Sequence, residues 1–241
     1  MTPQLETHPT ADALHRAAAR RIASTLEEAL ARAPAASIAL TGGKTPEPIY
    51  ELLAGAPYRE RLAWARIDFF WGDERPVGPE SPESNFGMAR RSLLDRVAVP
   101  EERIHRIEGE SEDLEGAARR YEAEIRRVVA GAPVPRFDLV LLGMGDDGHT
   151  ASLFPGTTWD GARLVTPNFV PKLGATRITM TPRLINAARA VLFLVSGASK
   201  AEALARVFRD APDELPAAQI RPADGSLLWL VDRAAASRLS S

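Results

Sequence analysis

The chain has 241 residues, of which 45% are hydrophobic and 26% are charged, a composition typical of an ordinary globular protein. Its formal net charge is −2, which argues against nucleic acid as the main partner, and the absence of cysteine excludes disulfides, thiolate catalysis and cysteine-based metal sites. The first 15 residues lack the pattern of a secretory signal, and no apolar run approaches the ~20 residues needed to span a bilayer. We therefore expect a cytoplasmic protein with no membrane partner, folded as one domain over residues 1–241.

Helix and strand patterns alternate along the chain. Apolar residues at positions 14, 18, 22, 26 and 30 predict a long helix over residues 12–33, and a second helix begins near Pro46, since proline is favoured in a first helical turn. Further helices are predicted at residues 84–97, 114–129 and 200–209, and strands at residues 37–40, 66–71, 139–142, 177–180, 190–195 and 227–231. This alternation predicts an α/β fold of three layers (α/β/α), with a mostly parallel central sheet and helices on both faces.

Four of the predicted strands end in polar or glycine-rich loops. The loops are TGGKTP at residues 41–46, GDER at 72–75, GMGDDGHT at 143–150 and SGASK at 196–200. In a parallel sheet the carboxyl ends of the strands lie at one edge, where open α/β sheets bind their ligands. The sequence therefore predicts one site built from these four loops.

The loop at 143–150 carries the strongest chemical signal. It follows an unbroken apolar strand, and it places His149, the side chain best suited to proton transfer near neutral pH, two residues after Asp147. Two alternatives stay open. Residues 143–148 also fit the dinucleotide fingerprint G-x-G-x-x-G, although Pro155 leaves room for barely two helical turns and residues 164–168 hold no acid for a ribose. The second alternative is that the loop at 143–150 is a purely structural polar turn, since aspartate and glycine are ordinary turn residues.

Two other loops are candidates for binding a phosphate. The glycine-rich turn at 41–45 precedes a helix start, where backbone N–H groups and the helix dipole attract anions, although a plain tight turn would have the same letters. It is not a Walker A loop, because Ile38 stands where that motif needs glycine. Ser199 and Lys200 begin a later helix, and Lys200 is either an anion ligand or a solvated lysine.

The GDER loop offers two acids and an arginine. Adjacent acids can bind a metal, but one pair without a third ligand is weak support for a metal site. An ion pair that holds Arg75 in place is the interpretation we prefer.

Taken together, these segments resemble the 6-phosphogluconolactonase family over residues 12–232, which we take as the core. The resemblance rests on TGGKTP, DFFWGDERPVGPESPESNFGMAR, FDLVLLGMGDDGHTASLFP, RITMT and LVSGASKAEAL, and its most specific part is DGHTASLFP with the upstream GDER and SN elements. It implies the sugar-isomerase fold shared with glucosamine-6-phosphate deaminase, ribose-5-phosphate isomerase and CoA transferase-like proteins. It also implies hydrolysis of the phosphorylated sugar lactone 6-phospho-D-glucono-1,5-lactone to 6-phosphogluconate, with no cofactor and no metal.

This reaction assigns roles to the candidate residues. His149 would take a proton from the attacking water, Asp147 would orient its ring, and Arg75 would meet the developing oxyanion. Substrate and its phosphate would be bound by Gly42, Gly43, Lys44, Thr45, Asn85, Arg177 and Lys200, of which Arg177 and Lys200 match the RIT and S-G-x-x-K positions of the family. Lys44 stands where the family often has serine or arginine, which leaves the backbone role of the loop intact.

Two other functions fit the same features. An amino-sugar-phosphate deaminase or isomerase would use the same scaffold and phosphate loops with a different catalytic motif. A non-catalytic sugar-phosphate-binding regulator would be expected to carry a DNA-binding helix-turn-helix, whereas residues 1–36 predict one long helix. The expected assembly is a monomer or a homodimer.

Overall fold

A computed structural model describes residues 4–209 and 214–239, so residues 1–3, 210–213 and 240–241 of the predicted domain lie outside the described structure. The strands are β1 (Gln4–His8), β2 (Ala36–Leu40), β3 (Ile67–Trp71), β4 (Asp73–Glu74), β5 (Leu139–Leu142), β6 (Val165–Val170), β7 (Ala175–Met180), β8 (Ala190–Val195) and β9 (Ser226–Asp232). The α-helices are α1 (Ala11–Arg32), α2 (Pro46–Leu53), α3 (Tyr58–Arg61), α4 (Asn85–Ser92), α5 (Leu114–Val128), α6 (Pro182–Ile185) and α7 (Ala201–Arg209). Short 3₁₀ turns occupy Trp64–Arg66, Leu94–Arg96, Glu101–Arg103, Pro171–Leu173, Ala198–Lys200, Pro216–Gln219 and Ala235–Arg238.

The central sheet has six parallel strands in the order β1-β9-β8-β5-β2-β3, flanked by helices, as the sequence predicted. Every residue of β2, β3 and β5 is buried, which is why these strands are apolar, apart from Ser37 and Asp68, rather than alternating in pattern. Leu40 pairs with Trp71 and Leu142 with Phe193, so the strands end at one edge and the four polar loops start there.

Local signals set the ends of the longer helices. The Thr10 side chain accepts a hydrogen bond from the Ala13 N–H at 3.1 Å and starts α1, while Asp113 accepts from the Gly116 N–H at 2.8 Å and starts α5. The apolar stripe predicted for α1 is buried at Leu14, Ala18, Ile22 and Leu26. None of the helices in the described ranges is long and apolar enough to cross a membrane.

A second sheet, of three antiparallel strands, was not predicted. It has the order β4-β7-β6, with Asp73 paired to Thr179 and Val165 paired to Met180. The strand predicted at 177–180 therefore belongs to this small sheet and not to the parallel one. The sequence analysis missed β6, which contains Pro167 and the exposed Phe169 and has no clear alternation.

Two further predictions are corrected at the ends of elements. The helix predicted over 84–97 ends at Ser92, because Leu93 leaves the helical region (φ −134°, ψ −65°) and a 3₁₀ turn follows. The chain does not open with one long helix alone, since Gln4–His8 forms an edge strand against β9. The sequence analysis did not predict this strand, because its residues are mostly polar and exposed and show no apolar pattern.

Candidate active site

A cleft of about 440 Å³ lies at the carboxyl edge of the parallel sheet. All four predicted loops contribute to its walls, as expected for an open α/β sheet. Nine of the ten predicted site residues line it: Gly42, Gly43, Lys44, Thr45, Arg75, Asn85, His149, Arg177 and Lys200. Asp147, the tenth, does not line the cleft and instead contacts His149 from behind.

The glycine loop after β2 requires glycine at two successive positions. Gly43 has φ +105°, a conformation that side chains rarely adopt, and a β-carbon on Gly42 would lie 1.6 Å from Asn85 Oδ1. The loop is fixed at its start by the buried Tyr50 hydroxyl, which accepts from the Thr41 N–H at 3.0 Å and donates to the Thr41 carbonyl at 2.9 Å. The loop therefore presents its backbone to the cleft at the start of α2.

His149 and Asp147 form a tight pair on the loop after β5. His149 Nδ1 lies 2.6 Å from Asp147 Oδ1, and the His149 backbone N–H donates to the same oxygen at 3.2 Å. Burial acts to raise the pKa of Asp147, but the hydrogen bonds and charge of His149, with a contribution from Lys172, outweigh it and lower that pKa to about 2. An ionised carboxylate thus fixes Nδ1 and leaves Nε2 as the nitrogen free for proton transfer.

The histidine ring is packed as well as hydrogen-bonded. It stacks on Phe154 with the ring centroids 4.0 Å apart, and a β-carbon on Gly145 would lie 2.0 Å from Nδ1, so only glycine fits under the ring. Ala151, which also lines the cleft, has φ +48°, an uncommon conformation for a residue with a β-carbon. Such outliers cluster at functional sites, where the surrounding structure maintains them.

The GDER loop differs from the prediction made for it. No ion pair joins Arg75 to a carboxylate in the described chain; its guanidinium donates to the Glu83 carbonyl instead. Glu74 is buried and accepts four hydrogen bonds, from the backbone N–H groups of Arg75, Asn85 and Phe86 at 2.8–2.9 Å and from the Ser84 hydroxyl at 3.0 Å. Burial raises the pKa of Glu74 against the effect of these bonds. Glu74 therefore holds the start of α4.

Asp73 and Asn85 connect this loop to the others. Asp73 is buried, lines the cleft and accepts from the Ser152 hydroxyl at 2.5 Å. Asn85 Nδ2 donates to the Asp73 carbonyl at 2.9 Å, and its Oδ1 is buried against Gly42 without a hydrogen-bond partner. Asn85 thus joins two loops of the cleft, and its contact with substrate stays a prediction.

Positive charge dominates the cleft walls. Lys44, Arg75, Arg177 and Lys200 all line it, and within the described ranges no carboxylate forms an ion pair with any of them. Asp73 is the one carboxylate among the residues that line the cleft. Burial lowers the pKa of Arg177, partly offset by the nearby Asp73, and the guanidinium carbon of Arg177 lies 5.9 Å from the centre of the Phe154 ring. Unpaired cations around a polar cleft suit an anionic ligand.

Lys200 is positioned by a turn that Asp232 holds. The Ser196 hydroxyl donates to Asp232 Oδ2 at 2.5 Å, and the Gly197 N–H donates to both carboxylate oxygens at 3.0–3.1 Å. Gly197 has φ +99°, which lets the chain turn from β8 into the 3₁₀ turn that carries Ser199 and Lys200. Both residues line the cleft.

Several residues of the site were missed by the sequence analysis. Phe154 and Ala151 carry no polar side chain and were not singled out, and Asp232 lies at the end of the last strand, far from any motif. Asp73 was considered only as a metal ligand or as part of an ion pair with Arg75. Within the described residues, no group of three or more histidine, aspartate or glutamate side chains is placed to hold a metal ion.

Comparison with known proteins gives consistent matches. The family model described as glucosamine-6-phosphate isomerases/6-phosphogluconolactonase matches residues 9–229. The 6-phosphogluconolactonase of Synechocystis sp. is 43% identical over 245 residues, which cover 99% of each chain. The crystal structure of devB protein superposes with a TM-score of 0.92 at 35% identity, over 99% of this chain and 100% of that one. The structure of 6-phosphogluconolactonase from Trypanosoma brucei gives a TM-score of 0.88 at 31% identity, over 99% of each chain.

Proposed function

The chain belongs to the glucosamine-6-phosphate isomerase/6-phosphogluconolactonase family, and from this premise we propose that its activity is that of the lactonases of the family. It would hydrolyse 6-phospho-D-glucono-1,5-lactone to 6-phosphogluconate. Full-length similarity to relatives named for this activity supports the assignment.

One observation carries the proposal at the level of chemistry. His149, held by Asp147 at 2.6 Å, stands on the wall of a cleft that is also lined by the glycine loop and by cations that form no ion pair within the described ranges. A base with a fixed tautomer at one wall and an anion site at the others is what hydrolysis of a phosphorylated lactone requires. The reaction needs an activated water and a stabilised oxyanion.

His149 is the general base in this mechanism. Its Nε2 takes a proton from a water that attacks the C1 carbonyl, and the imidazolium then returns the proton to the departing ring oxygen. Asp147 holds Nδ1 and stabilises the charged ring, and it stays ionised because its pKa is about 2. Arg75, which forms no ion pair with any carboxylate of the described residues, meets the charge that develops on the carbonyl oxygen.

The phosphate is bound where backbone and cations converge. Gly42, Gly43 and Thr45 present the start of α2, while Lys44, Arg177 and Lys200 supply charge from three separate segments. Binding the phosphate there would hold the lactone carbonyl near His149. Part of the binding energy would then act on the reaction itself.

A direct assay with two substrates tests the assignment. Freshly prepared 6-phosphogluconolactone, with uncatalysed hydrolysis subtracted, should be hydrolysed rapidly, whereas release of ammonia from glucosamine 6-phosphate should stay at background. The second substrate matters because the family model covers isomerases as well as lactonases. Rapid deamination without lactone hydrolysis would contradict the proposal.

The expected independence from cofactors is a separate prediction. Full activity should survive exhaustive chelation in nucleotide-free buffer, because water activation is assigned to His149 and charge stabilisation to arginine and lysine. The measurement is turnover before and after chelation. A loss of activity that returns on addition of Mg²⁺ or Zn²⁺ would overturn this prediction. The monomeric or dimeric assembly and the cytoplasmic location also stay predictions.

A further inference from the structure

The use of lysine in this chain is unusual. Of the 30 basic residues, three are lysines, Lys44, Lys172 and Lys200, and the others are arginines. Arginine thus serves nearly every surface position that needs a cation. Two of the lysines line the cleft, and the third, Lys172, is assigned no role by the reaction described above.

Lys172 contacts the catalytic pair from outside the cleft. Its Nζ lies 3.2 Å from Asp147 Oδ2, while Oδ1 of the same carboxylate faces His149 Nδ1 at 2.6 Å. The two oxygens of Asp147 are therefore held by different partners, which fixes the rotation of the carboxylate about its terminal bond. A lysine makes a single-point contact, whereas the fork of an arginine is suited to binding both oxygens at once and would compete with His149.

The β6–β7 hairpin, which carries Lys172, also forms two hydrogen bonds with Ser152, three residues after His149. Asn168 on β6 donates to the Ser152 carbonyl at 2.7 Å, and Thr179 Oγ1 on β7 accepts from the Ser152 N–H at 3.2 Å. Lys172 lies in the 3₁₀ turn at the tip, which closes through Gly174 in the left-handed conformation. The small sheet thus holds the segment that follows His149 in place, and Lys172 at its tip contacts Asp147.

We propose that Lys172 is a positioning residue, which holds Asp147 in the orientation that presents Oδ1 to His149. The inference rests on the proposed role of His149 as the base. Lys172 is not among the residues that line the cleft and its ammonium contacts Asp147, so we assign its effect to Asp147 and not to substrate.

The test compares Lys172→Met and Lys172→Arg with the parent. Arg21→Met is the matched control, because Arg21 forms an exposed ion pair of the same 3.2 Å length with Glu6, away from the cleft. For Lys172→Met we expect kcat to fall two- to fivefold, the scale of one exposed ion pair, with KM within about twofold of the parent. Lys172→Arg should keep the parent KM, with a kcat between those of the parent and Lys172→Met.

A second readout is independent of turnover. The chain has four histidines, so the ring resonances of His149 can be followed by NMR and assigned with His149→Ala. In Lys172→Met these resonances should differ from those of the parent, because the carboxylate that contacts Nδ1 has lost its second partner. In Arg21→Met they should stay at the parent positions.

Each result decides a different point. If Lys172→Met matches Arg21→Met in kcat and in the ring resonances of His149, the positioning role is wrong. A rise in KM with unchanged kcat would also overturn it, because Lys172 would then act on substrate. If His149→Ala itself keeps near-parent turnover, the assignment of the base fails, and the NMR shift still reports separately whether Lys172 is coupled to His149.

Discussion

Two acidic pairs in this chain look alike in the sequence but differ in what surrounds them. Asp73 and Glu74 are buried, and Glu74 is surrounded by fixed donors, three backbone N–H groups and one hydroxyl. Asp147, in the pair 146–147, is partly exposed and faces the titratable ring of His149 and the cation of Lys172. A carboxylate whose partners are backbone N–H groups and a hydroxyl holds structure in place, whereas one that accepts from a titratable ring can support proton transfer by that ring.

The electrostatics of the two pairs differ in the same way. Burial raises the pKa of Glu74 even though four donors oppose it. At Asp147 burial is outweighed by His149 and Lys172, and the pKa falls to about 2. Catalysis should therefore be sensitive to changes at 147–149, and stability to changes at 74.

The largest effect should come from the ring beside Asp147. We expect His149→Ala to lower kcat by roughly 10²–10⁴, the usual contribution of general base catalysis, without loss of fold. Steady-state kinetics together with circular dichroism would measure both. His15→Ala, a change on α1 outside the cleft, is the matched control and should keep parent turnover. Near-normal turnover in a folded His149→Ala protein would remove the histidine from the mechanism.

At the buried pair, Asp73 and Glu74, we expect a loss of stability rather than a loss of turnover. Glu74→Gln replaces one acceptor oxygen by a donor group, and it leaves at least one N–H at the start of α4 unsatisfied. The free energy of unfolding should fall by about 2–3 kcal/mol, and Tm by roughly 4–12 °C. Thermal unfolding of Glu74→Gln and Asp147→Asn side by side measures the contrast. The distinction between the two pairs fails if Asp147→Asn is the more destabilised and the more active of the two variants.

A third prediction concerns the proposed phosphate site. Lys200→Ala and Arg177→Ala should each weaken substrate binding by about 1.5–3 kcal/mol, as for a hydrogen bond to a charged group. The loss should appear in KM, and also in kcat if phosphate binding positions the carbonyl. Both variants should discriminate poorly between the phosphorylated lactone and plain gluconolactone, whereas Arg21→Ala should behave as the parent. Retention of the parent preference by both variants would place the phosphate elsewhere.

The smallest effect concerns the pH dependence of stability. Because the pKa of Asp147 is lower in the folded state than its ordinary value of about 3.9, ionised Asp147 stabilises the fold above that value. This contribution is lost as the pH falls through about 2. Discounted for exposure, it amounts to about 1–2 kcal/mol. The difference in unfolding free energy between the parent and Asp147→Asn should therefore shrink between pH 5 and pH 2. A difference that stays constant over that range would show that the carboxylate charge contributes nothing.

Much of the fold follows from local pattern. The apolar stripe of α1 and the runs in β5 and β8 are visible in the sequence, because a helix or a doubly buried strand imposes its own spacing on apolar residues. The gathering of the four polar loops at one edge also followed, since parallel strands share the direction of their carboxyl ends.

The sequence by itself determined the α/β class, the cleft loops and His149 with Asp147 as a candidate pair. Only the tertiary structure decided that Glu74 binds the start of α4, that Arg75 forms no ion pair with a carboxylate in the described ranges, and that Lys172 contacts Asp147. The last of these contacts depends on the antiparallel pairing of β6 with β7, whose tip carries Lys172 to a residue 25 positions earlier in the chain. Periodicity reports the environment of a segment along its own length, and it carries no information about which distant side chain fills the space opposite.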